Sequence, residues 1–201
     1  MPNWCFTQYA IKGDKKEVTS LYNTMLALQN RKESLLPNGF GKTWLGNLVH
    51  KLGNKPEAID CRGDWNANSL TLSDDGTLLR FNTETAWGRC DDVETILRLH
   101  YGDHISVYFY EEEDGMGIFQ TNDREGEFFP DQVLIDDEQL QEREYYTNEA
   151  ALAWLANRLE VPGDNPTWEE VDKALDTRNE LAEDTSNETH IYVKRIEIVE
   201  D

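Results

Sequence analysis

The sequence predicts an α+β protein: an antiparallel sheet of the split β-α-β kind with an inserted short helix, then an acidic helical extension ending in a strand. Three observations lead there. Runs rich in aromatic and β-favouring residues alternate with amphipathic helical runs through residue 111. An Asp-Gly turn sits between two of the strand-like runs. Beyond about residue 136 helical periodicity dominates and the charge becomes steeply negative.

Trp4–Lys12 (WCFTQYAIK) reads as the first strand, ended by Gly13-Asp14. Asp14 is placed to cap a helix to about Arg31, where Val18, Leu21, Met25 and Leu28 recur at helical spacing. Leu36-Pro37-Asn38-Gly39 is a turn signal. Trp44, Leu45, Leu48, Val49 and Leu52 then mark a short inserted helix. Trp65–Leu72 and Thr77–Thr85 read as two strands around Ser73-Asp74-Asp75-Gly76. Asp91 with Glu94 has capping-box spacing for a helix to about Tyr101. Ile105–Glu111 alternates Ile105, Val107 and Phe109 against Ser106, Tyr108 and Tyr110. A turn over Glu112–Gly115 returns as Met116–Thr121, and Gln132–Ile135 offers a further short strand.

Through residue 111 the order is β-α-(insert)-β-β-α-β, the ferredoxin-like arrangement, whose helices cover one face of an antiparallel sheet. Residues 1–135 are therefore expected to form a ferredoxin-like α+β domain. Residues 136–201 are expected to form an acidic helical extension packed on it. In that extension Thr147–Leu159 is helical, Val161-Pro162-Gly163 breaks it, and Thr167 with Glu170 caps a second helix. Residues 183–189 read as a loop, and Thr189–Val199 as the final strand.

Charge bounds the function. Of the net −21, residues 1–60 carry +3, residues 61–110 carry −4 and residues 111–201 carry −20. Such a surface repels nucleic acid and anionic lipid, so neither direct nucleic-acid binding nor membrane association is expected. Cys5, Cys61 and Cys90 are far apart and odd in number, which fits reduced, buried thiols. Met1–Trp4 runs into strand-like sequence and no apolar run is long enough to span a bilayer, so no secretory leader and a cytoplasmic location are expected.

No motif carries catalysis or a cofactor. Gly41-Lys42-Thr43 lacks the first glycine of a phosphate loop, since position 36 is Leu36. Gly115-Met116-Gly117 has Gln120 where a dinucleotide fingerprint needs glycine. His100 and His104 are four apart, but Gly102-Asp103 breaks the helix that would align them as metal ligands. Arg62-Gly63-Asp64 and the sequon Asn187-Glu188-Thr189 have no use in an intracellular protein. The residues singled out as a possible interaction surface are Trp65, Trp87, Glu111, Glu112, Glu113 and Asp114.

The opening Met1–Gly13 (MPNWCFTQYAIKG) resembles the start of the YubB-like proteins of plasmids, phages and related bacterial elements. Gly63-Asp64-Trp65-Asn66-Ala67, Phe81–Trp87 and Tyr108–Gly115 are similar to further words of that family. Gly88-Arg89-Cys90 departs from its Pro-rich turn, and the acidic region beyond about 136 lies outside the resemblance. The resemblance implies a ferredoxin-like domain and supplies no catalytic residue. The expected function is that of a non-enzymatic binding or accessory protein of a mobile element, with a protein partner and no cofactor. One alternative is an acidic mimic of nucleic acid that occupies a basic DNA-binding protein. B-DNA carries about 20 charges over ten base pairs, near the charge of residues 111–201. The other is a hydrolase using carboxylates around Asp64, Asp103 or Glu112.

Overall fold

The computed structural model describes residues 2–163, 165–184 and 189–200, the side chains of 183 and 184 excepted. The sequon at Asn187 and Glu188, and most of the loop expected over 183–189, lie outside the described residues. The protein is mixed α+β with mainly antiparallel sheet, and it divides into two compact units. One comprises Met1–Asp123 with Ile198–Asp201, the other Arg124–Glu197. The boundary expected at 135/136 falls inside a strand, Val133–Asp137.

The first unit holds β1 (Trp4–Gly13), α1 (Lys15–Gln29), α2 (Leu45–Lys51), β2 (Gly63–Trp65), β3 (Thr71–Leu72), β4 (Leu78–Ala86), α3 (Asp91–Tyr101), β5 (Ile105–Glu113) and β6 (Ile118–Thr121). β1 lies between β4 and β5, β2 and β3 both pair with β4, and β6 pairs with β5, all antiparallel. Period-two alternation puts Tyr9, Ile11, Leu79, Phe81, Val107 and Phe109 on one face. There they pack against Val18, Leu21 and Met25 of α1, Leu48 of α2 and Val93 and Leu97 of α3. The even-numbered residues of β1 and β4 form the opposite face.

Four local expectations are corrected. Trp65–Leu72 is not one strand. The Asn66 side chain accepts the Asn68 N–H, and the Asn66 carbonyl takes the Ser69 N–H and hydroxyl, so the chain loops out before β3. Asp91 and Glu94 form no capping box. Cys90 is the cap residue, and the two carboxylates turn instead to Arg89 (2.8 Å) and Arg98 (2.8 Å). Asp14 precedes α1 as expected, but its carboxylate lies 2.8 Å from His104 rather than on the helix amides. β5 runs on to Glu113, so Glu112 belongs to a strand and not to the turn.

The second unit holds β7 (Val133–Asp137), β8 (Glu142–Tyr146), α4 (Asn148–Arg158), α5 (Trp168–Asp184) and β9 (Ile191–Arg195). Its sheet has the order β8-β7-β9, and Val133, Ile135, Ala151, Leu155, Val171 and Ile191 make its core. The extension is thus not purely helical. β8 was not legible because Glu142, Arg143 and Glu144 are all exposed and show no apolar alternation. The Thr167–Glu170 capping box is present in full. Glu170 accepts the Thr167 N–H and hydroxyl at 2.9 Å each, and the Thr167 hydroxyl accepts the Glu170 N–H at 3.4 Å. A last strand, β10 (Glu197–Ile198), precedes Val199, whose N–H donates to the Thr121 carbonyl.

Candidate functional site

β1 begins with alternating large side chains. Cys5 and Thr7 face the helices and are buried; Trp4 and Phe6 face the other way and are 48% and 37% exposed. Strand register builds a row across this face, which is open at Trp4 and Phe6 and covered toward β6, where Phe119, opposite Glu112, is buried. Phe6 is opposite Glu84 of β4 on one side and Glu112 of β5 on the other. Asp64 of β2 is in turn opposite Glu84. The row therefore reads Asp64, Glu84, Phe6, Glu112: one aromatic ring flanked by carboxylates on both sides.

Directly opposed like charges on neighbouring strands destabilise a sheet by a few tenths of a kcal/mol, up to about 1. Burial raises the Asp64 carboxyl above its ordinary range; Thr43 works against this with a 3.2 Å hydrogen bond, and Glu84 adds to it. Among the described residues no Lys or Arg pairs with Asp64 or Glu84. Both line an open cleft of about 290 Å³ with Thr43, Asn66 and Ala67. Glu112 accepts the Tyr110 hydroxyl at 3.0 Å.

Aromatic surface continues beside this row. Phe40 meets Trp4 edge-on at 6.3 Å. Trp87 follows Ala86, the cross-strand partner of Trp4; it is 49% exposed and its backbone has φ +76°. A bulky residue in that conformation costs about 1–2 kcal/mol and persists only where its surroundings impose it. The Trp87 N–H donates to the Asn3 carbonyl, and two residues on Arg89 is anchored by Glu111.

The residues picked from sequence separate clearly. Trp87 and Asp114 are exposed and Glu112 is half-buried, as an interaction surface needs. Trp65, Glu111 and Glu113 are buried and are removed from it. Trp65 sits one residue past Asp64, hence on the helix-covered face, with its indole N–H on Gln29 at 3.2 Å. Glu111 and Glu113 continue the inward register of Val107 and Phe109. Trp4, Phe6 and Glu84 were missed; register alone identifies them. The carboxylates considered for hydrolysis do not converge. Asp103 follows α3 beside Ile105, which pairs with Gly13 at the far end of β1 from Glu112. Asn38 accepts the Phe40 and Gly41 amides at 2.7 Å each, so amides near Lys42 are turned into their own loop. No protein-family profile, curated protein or solved structure matches this chain.

Proposed function

We propose that this protein is a non-enzymatic binding or accessory protein of a mobile genetic element, and that its first unit receives a basic segment of a partner protein on the open sheet face. The observation that carries this is the row in which Phe6 stands between Glu84 and Glu112, with Asp64 beyond. An arginine or lysine of the partner gains a ring face and carboxylates together, and it relieves the Asp64–Glu84 repulsion. Trp4 and Trp87 supply aromatic anchors of the kind that dominate binding energy at interfaces. The resemblance of the opening and central words to those of the YubB-like family supports the mobile-element setting. The order β5-β1-β4-β2, antiparallel at each step with helices on one face, supports a ferredoxin-like first unit. The mimic reading is weaker, because Glu111, Glu113, Asp123 and Asp137 are buried and take no part in a surface charge pattern.

The test is affinity capture from the native host, followed by titration of the purified partner against variants. A basic protein is expected to bind in stoichiometric amount, and Phe6→Ala or Glu84→Lys is expected to weaken it about tenfold or more. Undiminished binding by both variants, or substrate turnover with no partner recovered, overturns the proposal.

A further inference from the structure

The second unit carries a groove of its own. Leu159, Val161 and Pro162, at the end of α4 and just past it, form one wall, and Ala174 and Leu181 of α5 form the other. Its volume is about 620 Å³, within the range of small-molecule sites. Leu181 is exposed there rather than packed in the core of the unit.

Two cations join this apolar lining, Lys173 and Arg178. Among the described residues no carboxylate pairs with Arg178; its Nη2 donates to the neutral amide of Gln139 at 3.3 Å. Its Nε is buried and has no hydrogen-bond partner among the described residues, so the part of Arg178 that a ligand can reach is the part that lines the groove. Elsewhere in the unit the exposed arginine of β9 does have a carboxylate, Arg195 meeting Asp172 at 2.9 Å. An arginine without one, beside an apolar groove, is therefore distinctive in so acidic a segment. Glu160 and Glu170 also line the groove, and hydrogen bonds from Thr167 hold the Glu170 carboxyl below its ordinary range, so it stays ionised. That pair disfavours a multiply charged head group.

We infer that this groove binds a small amphiphilic monocarboxylate, its apolar body lying between Leu159, Val161 and Leu181 and its carboxylate meeting Arg178 and Lys173 where they line the groove. The inference does not rest on the reading of the first unit.

Calorimetric titration of the full chain with decanoate, decanol and decyltrimethylammonium, each below its aggregation threshold, tests this. Decanoate is expected to bind one to one and about tenfold more tightly than decanol. Lys173→Gln and Arg178→Gln are each expected to lower decanoate affinity about fivefold or more while leaving decanol unchanged. Ala174→Trp is expected to block both without altering the far-ultraviolet circular dichroism. Equal binding of decanoate and decanol, tighter binding of the ammonium, no binding of any probe, or decanoate affinity unchanged in both charge variants overturns the inference.

Discussion

Glu111 holds Arg89 by two bonds, accepting its backbone N–H at 2.7 Å and its guanidinium at 3.1 Å. The same carboxylate accepts the Cys5 thiol at 3.2 Å and the Gln120 amide at 2.6 Å, while the guanidinium lies 3.6 Å from the centre of the Phe109 ring. One buried side chain thus ties β1, β5, β6 and the loop after β4 that presents Trp87. Removing it leaves the Arg89 guanidinium to Asp91 and Glu94, at 2.8 and 3.4 Å, but strands the Arg89 N–H, the Cys5 thiol and the Gln120 amide. Glu111→Ala is expected to cost about 1–3 kcal/mol, read from urea denaturation midpoints. Glu111→Gln, which keeps the shape but not the charge, is expected to cost less.

Asp64→Asn offers a different balance. It removes one of two opposed carboxylates and the burial cost of a charge. The variant is expected to be more stable than the parent by roughly 0.5 kcal/mol, measured by thermal denaturation. It is expected at the same time to bind the basic partner less tightly. Loss of stability in this variant argues against unrelieved repulsion in the row.

Trp87→Gly separates function from folding. Glycine adopts φ +76° without steric cost, and the lost indole is half exposed. The expected change in stability is under about 1 kcal/mol in either direction, small for loss of so large a side chain. Partner affinity is expected to fall about tenfold or more. A large loss of stability with partner binding intact assigns Trp87 to the scaffold instead.

The three free, buried cysteines set an alkaline limit. Burial first, and the Glu111 charge second, push the Cys5 thiol up to about 12; burial pushes Cys61 up to about 11 and raises Cys90 further. In the unfolded chain these thiols ionise from about pH 9, while the folded chain keeps their protons. Stability is therefore full below about pH 9 and is lost as pH rises toward about 12. Urea midpoints at about pH 8 and about pH 10.5 measure the fall, and Cys5→Ala is expected to reduce it. A thiol reagent at neutral pH is expected to label the native protein slowly and the denatured protein at once.

Thr167→Ala breaks the capping box at the start of α5. It is expected to cost about 1 kcal/mol. Because hydrogen bonds from Thr167 lower the Glu170 carboxyl, the stabilisation is present above about pH 4.5 and is lost as pH falls below it. Circular dichroism melts at neutral and acid pH check both the size and the sign.

Much of the fold was legible in the chain itself. The first strand, the helices at 15–29, 91–101, 148–158 and 168–184, and the Ser73–Gly76 turn follow from local periodicity and turn chemistry. In that turn Gly76 takes φ +76°, and Asp75 accepts the Ser73 hydroxyl at 2.6 Å and the Thr77 N–H at 3.0 Å. Carrying the Val107–Phe109 alternation two and four residues further would have placed Glu111 and Glu113 inside. Their charge made a solvated turn the nearer reading. β8 gave no pattern because charged and exposed side chains do not alternate.

By itself, then, the sequence determined most of the strands and helices, though not β8 or the break between β2 and β3, and the concentration of negative charge in the last ninety or so residues. Those properties depend on neighbours within a few positions along the chain. Only the tertiary structure decided that Phe6 lies between Glu84 and Glu112, and that Lys173 and Arg178 line one groove with Leu159, Val161 and Leu181. Residues far apart in sequence become neighbours through strand register and helix packing. A shift of one residue in pairing would turn the same side chains to the opposite face.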